Sequence, residues 1–204
     1  MRSNTILTVI ALAGCSDEML DPMDPDSFRQ YSATVTVDAM GSKNVFDYQR
    51  DGTKLLVAPR LSGSSLYDQR ATILIDMETK DTTTVSWGQK RYYVGKLNEK
   101  QGGTAMSWLG SGPGAKVTVA SREILSAENV DGHDCSVQRL RLQMPDGAIR
   151  HVKLWCARDL RGFAVRVEAT DGPLPATIGF SNVKLGPPSG VASFQLPSDF
   201  KLGN

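Results

Sequence analysis

Histidine is nearly absent from this 204-residue chain, with only His133 and His151, and only three cysteines accompany them, Cys15, Cys135 and Cys156. No pair of these has the spacing of a zinc site. Net charge is lacking too: 23 Lys and Arg face 22 Asp and Glu, a formal charge of +1. No overall field steers the chain toward nucleic acid, and no basic run or recognition-helix pattern supplies one locally. No Gly-x-Ser-x-Gly elbow presents a nucleophile. The stretch Gly110-Ser111-Gly112-Pro113-Gly114 lacks the lysine of a phosphate loop and reads as a flexible turn. His133-Asp134-Cys135 offers a weak ligand or nucleophile–base spacing, and polar strand residues are its plainer reading. Asp21, Asp24 and Asp26 read as solvation, because Asp-Pro dipeptides set the wrong backbone for a calcium loop. Together these shortages argue against an enzyme and against a bound cofactor or metal.

Long hydrophobic runs are missing as well. A membrane-crossing helix needs about twenty apolar residues, whereas the apolar run Ile6 to Leu12 spans seven. That suffices for the core of a secretory signal, with Arg2 as its basic start. Leu12-Ala13-Gly14-Cys15 looks like a bacterial lipobox. The likeness implies a signal peptide over residues 1–14, an acylated Cys15, and life outside the cytoplasm in a bacterial envelope. Ser16 resembles the enterobacterial pattern for delivery to the outer membrane, and Asp17 beside it weakens that pattern. The competing reading is a buried N-terminal strand with a chance cysteine.

Residues 15–27 are acidic and carry two prolines, which cannot build a core, so they are expected to form a flexible tether. Residues 28–204 are expected to form a single domain. Its strand signals are Ala33–Met40, Val45–Arg50, Thr53–Pro59, Ala71–Met77, Thr82–Trp87, Lys90–Val94, Ala115–Leu125, His133–Gln143, Ile149–Ala157, Gly162–Ala169 and Thr177–Leu185. Alternation of apolar and polar residues marks sheets with one face buried, an antiparallel habit. No sustained helical period appears. The glycine-rich stretch 97–114, around Met106, Ser107, Trp108 and Leu109, fits either a short helix or a loop with an apolar tip. Lys90 and Arg91 fit either the wet side of a strand or a clamp for an anionic head group.

One hairpin is specified in detail. Met144-Pro145-Asp146-Gly147 suits a type I turn closed by a glycine bulge, which sets Leu140 opposite Val152. Along the first strand the apolar positions change from odd (Cys135, Val137) to even (Leu140, Leu142), as one extra residue near Gln138 or Arg139 would cause. Beyond such a bulge Val137 would face Leu154, and Cys135 would face Cys156. In an oxidising compartment that pair is expected to form a disulfide, closing a loop of roughly twenty residues for about 3 kcal/mol. Two unrelated buried thiols are the alternative.

Several segments resemble the lipoprotein-carrier superfamily of LolA/LolB-like proteins. They are Phe28-Arg29-Gln30-Tyr31-Ser32-Ala33 leading into a strand, the Asp-Gly hairpins, and Thr72-Ile73-Leu74-Ile75-Asp76. Farther on come Glu128 to Cys135, Leu154-Trp155-Cys156-Ala157-Arg158-Asp159-Leu160, and Phe194-Gln195-Leu196-Pro197-Ser198-Asp199-Phe200. The resemblance implies a mainly β (α+β) fold: a strongly curved antiparallel sheet, an unclosed half-barrel with short helices in or over its hollow. It implies non-covalent binding of an acyl chain or lipoprotein on the concave face. The candidate lining is Val35, Val37, Ile73, Ile75, Phe163, Val165 and Val167, for which plain core packing is the alternative role. Trp108 and Leu109 are the candidates for touching a membrane or carrier. Expected partners are thus a lipid or lipoprotein, the membrane through the acyl anchor, and, in a rival reading as sensor or adaptor, another envelope protein. Nucleic acid is not among them.

Overall fold

The computed structural model describes residues 19–23, 27–39, 41–60, 71–97, 118–144, 147–169, 171, 176–188, 194–196 and 198–203. Each segment read as a strand holds one among its described residues, with ends shifted by a few positions. They are β1 (Gln30–Ala39), β2 (Ser42–Asp51), β3 (Lys54–Pro59), β4 (Ala71–Asp76), β5 (Asp81–Ser86), β6 (Arg91–Lys96), β7 (Thr118–Val130), β8 (His133–Gln143), β9 (Ile149–Ala157), β10 (Phe163–Ala169) and β11 (Ala176–Leu185). A further strand, β12 (Lys201–Leu202), comes from the C-terminal segment. All twelve form one sheet in the order β12-β6-β5-β4-β3-β2-β1-β11-β10-β9-β8-β7, with β12 and β7 as its two edges.

The pairings are antiparallel except β12 with β6, which is parallel. Among the described residues there is no α-helix; of the stretch 97–114, only Leu97 is described. Tight turns account for the hairpins. Asp131 (φ 50°) and Gly132 (φ 90°) both lie in the left-handed region, the backbone of a two-residue type I′ turn that sets Val130 opposite His133.

Register puts the apolar residues on one face. Val35 of β1 lies opposite Phe46 of β2 and Phe180 of β11; Val37 lies opposite Ile178, which lies opposite Val167 of β10. On the other flank Tyr48 lies opposite Val57, and Leu55 and Val57 lie opposite Ile75 and Ile73. Residues from β3 and β4 through β8 belong to one contiguous buried cluster. A single twisted sheet secludes one face over so many strands by curling around it, so this face is the hollow of an unclosed sheet.

The hairpin β8–β9 confirms one expectation and corrects another. Leu140 does face Val152, but the register runs unbroken from Gln143–Ile149 to Cys135–Ala157, with no bulge at Gln138 or Arg139. Val137 therefore faces Trp155 rather than Leu154, and Cys135 faces Ala157 rather than Cys156. The extra residues sit in the neighbouring strands instead: β7 shifts register between Val119 and Ser121 and between Ile124 and Ala127, and β10 between Ala164 and Arg166. The change of apolar parity has another cause. At the Cys135 end both sides of the hairpin are covered, so the consecutive residues Leu154, Trp155, Cys156 and Ala157 are all buried.

Candidate functional site

The seven residues expected to line a ligand site come together. Val35, Ile75, Phe163, Val165 and Val167 are buried, and Val37 and Ile73 pack half-buried against the same cluster. Phe163 is the hub of an aromatic set: its ring meets Phe28, Tyr31 and Phe180 edge-on at 5.2, 5.0 and 5.3 Å, and Tyr31 stacks on Tyr48 at 5.5 Å. Edge-to-face contacts at this spacing add stability beyond area burial. Burial, reinforced by Tyr48, holds the Tyr31 hydroxyl well above its usual range, so it stays neutral.

The two cysteines are brought near each other without being joined. Both are free and fully buried. Because successive strand residues point to opposite sides, Cys156 turns away from the side on which Cys135 faces Ala157, and the disulfide expected from the sequence is not formed. Burial pushes the Cys156 thiol up to about 12, against a downward pull from the Arg122 guanidinium and a small upward push from Asp21. Cys135 is raised too, chiefly by burial. Thiols so disposed are unreactive.

Cys15, Trp108 and Leu109 lie outside the described residues. Within the expected tether, residues 19–23 are docked. The Leu20 N–H donates to the Arg161 carbonyl (2.9 Å). Asp21 takes two hydrogen bonds from the Arg122 guanidinium, at 2.7 and 2.8 Å, and also caps the Met23 N–H (2.9 Å). Leu20 and Met23 pack against the buried cluster. Gly162 lets this strap pass: its φ is +90°, and a Cβ there would stand 2.8 Å from the Leu20 carbonyl oxygen. Beside the strap is a cleft of about 230 Å³, bordered by Leu20, Phe28, Arg29, Arg161, Leu185 and Gly186.

Two further features escaped the sequence reading. The Trp155 indole N–H donates to Glu128 (2.8 Å), while Lys153 and Arg166 sit over its ring at 4.2 and 4.7 Å. At the opposite flank, Trp87 donates to the Thr72 hydroxyl (2.8 Å) and meets Phe200 edge-on at 5.3 Å. Lys90 there pairs with Asp199 at 3.0 Å, which ties the start of β6 to the C-terminal segment. The histidines are far from forming one site: His133 pairs with Asp159 (2.8 Å) and His151 with Asp171 (2.7 Å), near opposite ends of the β8–β9 hairpin.

A long sheet, apolar on one face and open between its edges, invites comparison with known structures. MucB matches with a TM-score of 0.50 at 13% identity, over 84% of this chain and 58% of that one. The two share a fold. The Mycobacterium tuberculosis lipoprotein LppX gives a TM-score of 0.48 at 15% identity, covering 83% of this chain and 93% of LppX. A LolA superfamily protein from Nitrosomonas europaea gives 0.39 at 15%, covering 88% and 94%. No protein-family model and no curated protein matches the sequence. At such identities the likeness is one of fold alone.

Proposed function

We propose that this chain is a lipid-anchored protein of the bacterial envelope. Held through Cys15 at the outer membrane and facing the periplasm, it binds an apolar ligand non-covalently on the inner face of its sheet. The ligand class is an acyl chain, free or carried by a lipoprotein. The observation that carries this reading is the shared core: Val35, Val37, Ile73, Ile75, Phe163, Val165 and Val167 come from three strands, β1, β4 and β10, and belong to or pack against one buried apolar cluster. An unclosed sheet with an apolar interior can admit a chain between its edges. The lipobox-like Leu12-Ala13-Gly14-Cys15 supports the anchor. Binding rather than catalysis is supported by the separate placement of the two histidines, near opposite ends of the β8–β9 hairpin, and by the burial of Cys135 and Cys156.

Native mass spectrometry of the chain, extracted gently from its own membrane, tests the proposal. Co-purifying lipid or acylated peptide supports it; a ligand-free chain that also ignores added fluorescent fatty acyl probes refutes it. The likeness in fold to MucB, which is also known in complex with MucA(peri), favours a second reading, an envelope sensor or adaptor. That reading expects a co-purifying protein and no retained lipid.

A further inference from the structure

The strap at residues 19–23 has the layout of an amphiphile. Leu20 and Met23 lie against the buried cluster, and between them Asp21 presents a carboxylate to Arg122. Arg122 is placed unusually for a strand cation. It lies opposite Leu140, which lies opposite Val152, so it projects from the same face as these two buried residues. Its charge, like that of Asp21, is felt at buried Cys156. Arg122 keeps access to solvent on the exposed edge strand, and one of its guanidinium nitrogens reaches both oxygens of Asp21, a charge-assisted contact that another carboxylate could make in its place.

We propose that the strap is a built-in stand-in for a long-chain carboxylate: Asp21 holds the place of its head group on Arg122, and Leu20 and Met23 hold the place of its chain. This rests on the apolar-ligand reading and sharpens it by naming the ligand class. Three independent contacts define the docked state: the Leu20–Arg161 backbone bond, the Asp21–Arg122 pair, and the passage over Gly162. The cleft left beside the strap, about 230 Å³, is smaller than the roughly 300–1,000 Å³ of ordinary ligand sites. Lifting Leu20 off the wall of that cleft enlarges it. An incoming fatty acid therefore exchanges one carboxylate for another on Arg122 and one set of apolar contacts for another, and it frees the segment that leads back to Cys15. Because the docked strap reduces the share of protein open to ligand, it weakens the apparent affinity by that share.

The experiment compares a fluorescent long-chain polyene acid with the alcohol of the same chain, titrated into the full chain and its variants. Asp21→Asn is expected to tighten acid binding on the order of tenfold by releasing the strap. Arg122→Gln is expected to abolish the preference for acid over alcohol while still binding the alcohol. Hydrogen exchange at the Leu20 amide, bonded to Arg161, is expected to accelerate when the acid is added to the unaltered chain. Unchanged acid affinity in Asp21→Asn, or an acid preference that survives Arg122→Gln, overturns the proposal. Equal binding of acid and alcohol with no change at Leu20 sinks the strap mechanism and leaves the apolar-ligand reading standing. No binding of either probe by any variant sinks both. A phosphate-headed lipid that outcompetes the acid overturns the assignment to a carboxylate.

Discussion

The two flanks of the sheet are built differently. On one, β8, β9 and β10 bury nearly every apolar residue: Val137, Leu140 and Cys156 are 0% exposed, and Trp155 is capped by Glu128, Lys153 and Arg166. On the other, β4, β5 and β6 are six residues each and mostly half-buried, with Thr82, Thr83 and Thr84 in succession. That flank is finished by the C-terminal segment, which adds β12 in parallel and brings Phe200 onto Trp87. Val85 of β5, and Leu56 of the adjoining β3, are buried but stand outside the main core cluster. One flank is thus a sealed core crossed by the N-terminal strap, and the other a thinner wall clasped from behind. The first supplies the greater share of stability, and the second, with fewer fully buried side chains, is the easier to open locally.

Truncating one residue on each flank tests this contrast most strongly. Leu140→Ala, at a fully buried position, should cost about 3–4 kcal/mol of unfolding free energy. Ile73→Ala, at a half-buried one, should cost about half that, since its surroundings collapse more easily. Urea unfolding of both variants provides the measurement. Equal losses would break the distinction between the flanks.

Gly162→Ala sharpens the role of the strap. A left-handed φ costs alanine roughly 1 kcal/mol, and the Cβ would collide with the Leu20 carbonyl, so a total loss of about 1–3 kcal/mol is expected. Where the cost includes expulsion of the strap, the effects of Gly162→Ala and Asp21→Asn are less than additive, which a double-mutant cycle reads directly. On the thinner flank Phe200→Ala removes the edge-on contact with Trp87 and should cost roughly 1 kcal/mol. The loss should appear as faster hydrogen exchange along β6 and β12, with β8 and β9 protected as before.

Much of this was legible in the chain because strand signals are local. The Met144 to Gly147 turn set Leu140 opposite Val152, and alternation placed Val35, Val37, Ile73 and Ile75 on one face. What escaped depends on partners distant in sequence. Parity within β8 cannot show that the extra residues belong to β7 and β10, so Cys135 met Ala157 and the thiols stayed free. Asp21 and Arg122 are 101 residues apart, and each alone is an ordinary surface charge. The strap-forming stretch has the composition of a tether, and only the sheet's geometry turns Leu20, Asp21 and Met23 into a plug. Lys201 and Leu202 are too short a strand signal to read without β6 beside them.

The smallest expected effect concerns pH and the loop after β10. Partial burial alone would raise the Asp171 carboxyl. The His151 backbone N–H, at 2.7 Å, and the His151 ring outweigh it and hold the carboxyl below the ordinary aspartate range. A group whose folded-state pKa is depressed contributes stability above its unfolded value and loses it as pH falls through the folded one. The contribution is therefore present above about pH 4 and fades below it. The Asp171 side chain is 39% exposed, which confines the contribution to the exposed-pair range of roughly 0.2–1 kcal/mol. Thermal melts of Asp171→Asn and the unaltered chain should therefore differ slightly at neutral pH and converge in acid. A difference that persists below the folded-state titration would mean that Asp171 acts through loop geometry rather than charge. The sealed flank would then end in a purely steric clasp.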